Sequence, residues 1–128
     1  MTWLAGSGDV EALLRVRGDL GERVQALRGH AAAAAPGRTA ELIVARAAQM
    51  VSGDGSLESF GALSTAEQVV VEVTDRFLFD AHAIDDSLFA GLGEHYTPAE
   101  QVGLLFHLAL ADGFTRMSRV FDAPEEDR

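Results

Sequence analysis

The chain has 128 residues, 48% of them hydrophobic, and a formal net charge of −10. That length suits one domain with a core of its own, and a field of that sign repels phosphate backbones and anionic membrane surfaces, so neither nucleic acid nor membrane is expected as a partner. There is no Cys, which removes disulfides, thiolate nucleophiles and Cys-ligated metals, and all ten basic residues are Arg, which removes Schiff-base chemistry on a side-chain amine.

Ala and Leu outnumber the β-branched residues, which points to a helical globular protein. No apolar run reaches membrane-spanning length, and the first residues lack a basic-then-apolar signal pattern, so a cytoplasmic protein is expected. No linker, repeat or composition shift divides the chain, and residues 1–128 read as a single domain.

Asp9 is placed to cap a short helix through "VEALLRVRG", with Val10, Leu13, Leu14 and Arg17 at helical spacing. "DLGERVQALRGHAAAAA" continues as helix, with Leu20, Val24 and Leu27 on one face. Gly18 and Gly21 weaken the junction, so the segment is either one kinked helix or two. Pro36-Gly37 ends it. "RTAELIVARAAQMV", from about Arg38 to Val51, is a helix buried on more than one side. "SGDGSLESFGAL" reads as a loop without an element of its own.

Ser64-Thr65-Ala66-Glu67 forms a capping box, in which serine and glutamate each serve the other's backbone amide. The valine-rich segment after it is compatible with a strand by composition. Its spacing predicts a helix through "AEQVVVEVTDRFLFDAH": Ala66, Val69, Val70, Val73 and Phe77 form one stripe and Gln68, Glu72, Asp75 and Arg76 the opposite one. Asp85 is an N-cap for a short helix through "DSLFAGLGEHY". Thr97-Pro98-Ala99-Glu100 combines an N-cap threonine, proline at the first helical position and glutamate at the third. The helix it starts should run to about Phe121, before Pro124. Val102, Leu104, Leu105, Phe106, Leu108, Leu110, Phe114, Met117 and Val120 fall all round it, as expected for a helix covered on most sides or buried at a subunit contact. The fold class is all-α, with about six helices.

Chemistry motifs are few. There is no GxxxxGK[ST], no GxGxxG and no HExxH. "SGDGS" lacks the lysine of a phosphate loop and is an ordinary loop. No metal site is expected, because His107 has no His or carboxylate three or four residues away. "DRFLFDAHAIDD" gathers Asp75, Arg76, Asp80, His82, Asp85 and Asp86. A carboxylate–histidine acid/base pair is one reading, and a solvated helix end followed by an N-cap is the preferred one. In the last helix Asp112 and Arg116 are spaced i,i+4 and suited to pair with each other. His107 lies on a different face, either as a hydrogen-bonded core residue or as an acid/base group.

"RTAELIVARAAQMVSG" resembles the RxxELxxLRVA helix of the carboxymuconolactone decarboxylase and AhpD-like superfamily, at Arg38, Glu41, Leu42, Arg46 and Ala48. The stretch from "LSTAEQ" to "VFDAPEE" is similar to the C-terminal half of the decarboxylase-like branch. The resemblance covers most of the chain from Arg38 and implies an AhpD-like helical bundle forming a homo-oligomer: a trimer, hexamer or dimer. Redox members carry Cys-x-x-Cys with nearby Glu and His in the segment after this helix. Here that segment is replaced by the short stretch from Ser52 to Leu63, so thiol peroxidase chemistry is excluded.

The function implied is a cofactor-free tailoring enzyme, a decarboxylase, dehydratase or cyclase, acting on an apolar acid, lactone or polyketide-like small molecule. Arg46 or Arg116 would hold a substrate carboxylate or enolate. His107, with Asp112 or Glu41, would move the proton. The alternative is a non-catalytic oligomeric scaffold or ligand-binding protein that has lost the active-site segment. The distinguishing feature is a cavity with convergent polar groups, which an enzyme needs and a scaffold would fill with Leu, Phe and Val.

Overall fold

The structure is a computed structural model and describes residues 14–15, 17–53 and 55–122. Among these, five α-helices are present and no strand: α1, Gly18–Ala34; α2, Thr39–Ser52; α3, Thr65–Phe79; α4, Asp86–His95; and α5, Pro98–Asp122. Leu14 and Arg15 are also helical. The expected Asp9 cap and most of the helix it would start lie outside the described residues.

The helix ends form where local chemistry demands them. At α3 the Ser64 amide donates to Glu67 Oε1 at 2.9 Å and the Glu67 amide to Ser64 Oγ at 3.1 Å. Thr97 and Glu100 make the same reciprocal pair at α5, at 2.9 and 3.2 Å. The Asp85 carboxylate accepts from the Leu88 amide at 2.9 Å and starts α4. Each satisfies amides that have no partner within their own helix. Gly53 closes α2 at φ 74°, a left-handed conformation that glycine adopts without a Cβ penalty, and its amide donates to the Gln49 carbonyl.

α5 is the centre of the bundle. It packs against both α1 and α2; α2 packs in turn on α3, and α3 on α4, which closes back on α5. Ile43, Val70, Val73, Leu88, Leu92, Leu104 and Leu108 form the core. Two buried polar side chains are satisfied locally, Thr39 by the Pro36 carbonyl at 2.6 Å and Thr74 by the Val70 carbonyl at 2.8 Å. The valine-rich segment is helical, with Val70 and Val73 buried as its spacing predicts.

Three expectations are corrected. The loop after α2 contains a 3-10 turn, Glu58–Phe60. α3 ends at Phe79, and the residues that would have extended it form a second 3-10 turn, Ala81–Ala83, because the Asp80 carboxylate takes the His82 amide. Third, the apolar face of α1 read from spacing is only partly covered: Val24 is half-buried, while Leu20 and Leu27 are 52% and 46% exposed. α1 approaches through small residues instead. Ala31 is buried, and a Cβ built on Gly103 of α5 would stand 2.8 Å from both the Cβ and the carbonyl oxygen of Ala34. The helices therefore cross almost backbone to backbone, with Arg28 of α1 stacked 4.9 Å from the centre of the Phe114 ring of α5.

The last helix is buried on one side only. Gly103, Leu104 and Leu108 face the core, while Val102, Phe106 and Val120 are each 58% exposed.

Candidate functional site

Each of the five predicted site residues has a definite place. His107 is half-buried on the inner side of α5, and its Nε2 lies 3.0 Å from the Ala40 carbonyl in the first turn of α2. A carbonyl only accepts, so Nε2 carries the proton and donates. The imidazole thus tethers α5 to α2. Arg46 forks onto Asp75 of α3, Nε to Oδ1 at 2.6 Å and Nη2 to Oδ2 at 3.0 Å, and its Nη1 donates to Gln49 Oε1 at 2.9 Å. The Asp75 carboxylate raises the guanidinium above its ordinary value and so strengthens its charged form.

Asp112 and Arg116 pair as their spacing predicts, at 2.5 Å. Arg116 also donates from Nη2 to the Leu78 carbonyl at 2.7 Å. That carbonyl lies in the last turn of α3, where a cation satisfies an orphan acceptor and complements the helix dipole. Glu41 is exposed on the first turn of α2. Within this set, Asp112–Arg116 is the one side-chain pair joined by a hydrogen bond among the described residues. His107 and Asp112 differ by about 140° around α5 at ~100° per residue.

Of the other three histidines, His30 is exposed along α1 and two lie at helix ends. His82 is exposed in the second 3-10 turn, and His95 is exposed at the end of α4, edge-on to the Tyr96 ring. Tyr96 packs against the core, and burial, then Glu67 and Glu100, pushes its hydroxyl up. "DRFLFDAHAIDD" takes the bland form: Arg76 donates to Glu72 and the Ala83 carbonyl, while Asp80 and Asp85 hold backbone amides.

An interaction that spacing did not reveal joins α2 to α3. Arg38, the residue before α2, donates to Glu67 through Nε at 2.5 Å and Nη2 at 3.0 Å, and through Nη1 to the Phe60 carbonyl at 2.7 Å. Its guanidinium also lies 5.4 Å from the centre of the Phe60 ring. Arg38 and then the Ser64 amide hold the Glu67 carboxyl down to about 2, against an ordinary 4.5. A depressed value means that the ionised form favours folding above about 4.5, and that this contribution fades as the pH falls toward about 2. Glu67→Gln should therefore show a flatter dependence of melting temperature on pH across that window than the wild type. Equal slopes would remove Glu67 as its source.

Ile43, Val70, Val73, Thr74, Leu92, Leu104, Leu105 and Leu108 surround a void of about 10 Å³, no larger than one water requires. Among the described residues, no buried side-chain nitrogen or oxygen lacks a hydrogen-bond partner, and no three His, Asp or Glu side chains converge as metal ligands would. An open groove of about 270 Å³ on the surface is lined by Met50, Val51, Leu78, Phe79 and Arg116. Phe79 stands 88% exposed at this groove. A second groove, of about 320 Å³, runs along the start of α1 beside Gly18, Gly21 and Glu22 and holds none of the predicted residues. No described helix is long and apolar enough to cross a membrane.

Comparisons of the chain with protein-family models, with curated proteins and with solved structures find no match.

Proposed function

We propose that this chain is a non-catalytic helical subunit whose task is assembly, built on an AhpD-like framework without that superfamily's active-site segment. One contrast carries the reading. Among the described residues, the void in the core is ringed almost wholly by aliphatic side chains and every buried side-chain nitrogen and oxygen is paired, while α5 turns an apolar face outward. A tailoring enzyme needs the opposite arrangement, an open apolar cavity into which a few polar groups converge. Four of the five candidates for that role are engaged elsewhere, His107 with a backbone carbonyl, Arg46 with Asp75, and Arg116 with Asp112 and the end of α3, while Glu41 is exposed on the surface.

The resemblance to the superfamily supports the framework. Arg38 stands just before α2, which carries Glu41 and Arg46 and leads, through residues 53–64 with one 3-10 turn among the described residues, to α3. In this setting Arg38 and Arg46 are clamps between α2 and α3.

A thermal-shift screen with small aromatic and polyketide-like acids tests the proposal. No saturable rise in melting temperature is expected. A ligand that raises it, and loses that effect in Arg46→Met or Arg116→Met, would restore the enzyme or ligand-binding reading. His107 supplies a second check. His107→Leu should cost about 1 kcal/mol, the usual net worth of one partly buried hydrogen bond, and His107→Gln, which keeps a donor, should cost less.

A further inference from the structure

We propose that the outer face of α5 is where two copies of this chain pair, with their α5 helices antiparallel about a two-fold axis level with Ala111. The proposal rests on the assembly reading above and names its partner.

The face is continuous. Val102, Phe106, Ala109, Gly113, Arg116 and Val120 are all exposed. At ~100° per residue they lie within about 40° of one direction. Half-buried Leu105, Leu110 and Met117 flank them. In a chain with a net charge of −10, no Asp, Glu, Lys or Arg occurs between Glu100 and Asp112, and the one histidine there, His107, lies on the inner side of the helix. Such a helix face is a packing surface.

The order of residue sizes along this face points to a second copy. An isologous contact requires that when one residue meets another, the reverse contact also occurs. With the axis level with Ala111, Val102 of one copy lies opposite Val120 of the second, Phe106 opposite Arg116, and Ala109 opposite Gly113. Bulky residues meet at the two ends and small ones at the middle, where the helix axes cross most closely. A Cβ built on Gly113 meets nothing within 4 Å among the described residues, which leaves room there for another molecule.

Charge selects the direction. A parallel pair would set Arg116 against Arg116 and align the two helix dipoles, and both contacts are repulsive. The antiparallel pair lays each Arg116 over a Phe106 ring. The guanidinium spends in-plane donors on Asp112 and Leu78, which leaves its flat face free to stack. A single helix seam is at the small end of protein interfaces, so pairing should set in at micromolar concentrations.

Sedimentation of the wild type at tens of micromolar should give twice the chain mass. Ala109→Glu puts a carboxylate on each side of the axis at an exposed position, so the fold should persist with unchanged melting in dilute solution while the mass halves. Because the chain has no Cys, single cysteines report the direction cleanly. An oxidised mixture of Ala109→Cys and Gly113→Cys should form the mixed disulfide several-fold faster than either variant forms its own. A wild type that stays at one chain mass overturns the pairing, as does a dimer indifferent to Ala109→Glu. Ala109→Cys crosslinking to itself as fast as the mixture also overturns it. None of these outcomes touches the non-catalytic reading, which falls only to a saturable ligand.

Discussion

Gly103→Leu should cost about 3 kcal/mol or more, near the upper end for overpacking a tight contact. A first side-chain carbon at this position would already stand 2.8 Å from the Cβ and carbonyl oxygen of Ala34 and 3.0 Å from its carbonyl carbon. Backbone atoms cannot rotate aside as a flexible side chain would, so α1 must move as a unit away from α5. Leucine is a far better helix former than glycine, by roughly 0.8 kcal/mol, so any loss measured is steric and exceeds what propensity returns. Gly103→Ala should lie between, at about 1–2 kcal/mol. Ala34→Gly removes one of the two opposing groups and leaves the carbonyl, so in a double-mutant cycle it should recover only part of the Gly103→Ala loss. Equal stability of Gly103→Leu and wild type in urea unfolding would mean that α1 does not dock on α5 in this way.

This crossing also explains what the sequence hid. The capped helix starts were legible at Ser64, Asp85 and Thr97 because a cap is a local event, completed by residues three positions apart. The stripe through Val70 and Val73 was legible because large side chains carry the 3.6-residue period. α1 does not show that rule: it meets α5 closely where Ala34 crosses Gly103, residues too small to leave a hydrophobic pattern, while Leu20 and Leu27 of the face that spacing picked out stay exposed.

The candidate site divides along the same line. Asp112–Arg116 could be read from its spacing, since both partners lie one turn apart on a helix. Arg46 with Asp75 and Arg38 with Glu67 each bridge 29 positions. Neither neighbourhood contains a trace of the other, and an arginine that looks available for a substrate in sequence is already engaged in the fold. Of His107, the sequence showed a polar residue on an apolar helix; which group satisfied it depended on α2 arriving with the Ala40 carbonyl.

Leu108→Ala should cost about 3–4 kcal/mol, within the usual range for truncating a leucine in a rigid core. Leu108 is 1% exposed and lines the void beside Ile43, Val70, Val73, Leu92 and Leu104. These neighbours belong to α2, α3, α4 and α5 itself, so no single helix can shift to refill the space, and most of the deleted volume should persist as a cavity. That cavity would be dry, because its walls are aliphatic and the Thr74 hydroxyl is already bonded to the Val70 carbonyl. A dry apolar cavity binds small apolar molecules, so benzene should raise the melting temperature of Leu108→Ala by recovering part of the lost contact. The wild type, with about 10 Å³ of free space in the core, should show no such rise. The comparison is a direct test of the closed interior on which the non-catalytic reading depends. If benzene stabilises the wild type as much as the variant, the core has room for a ligand, and the search for a substrate should begin there.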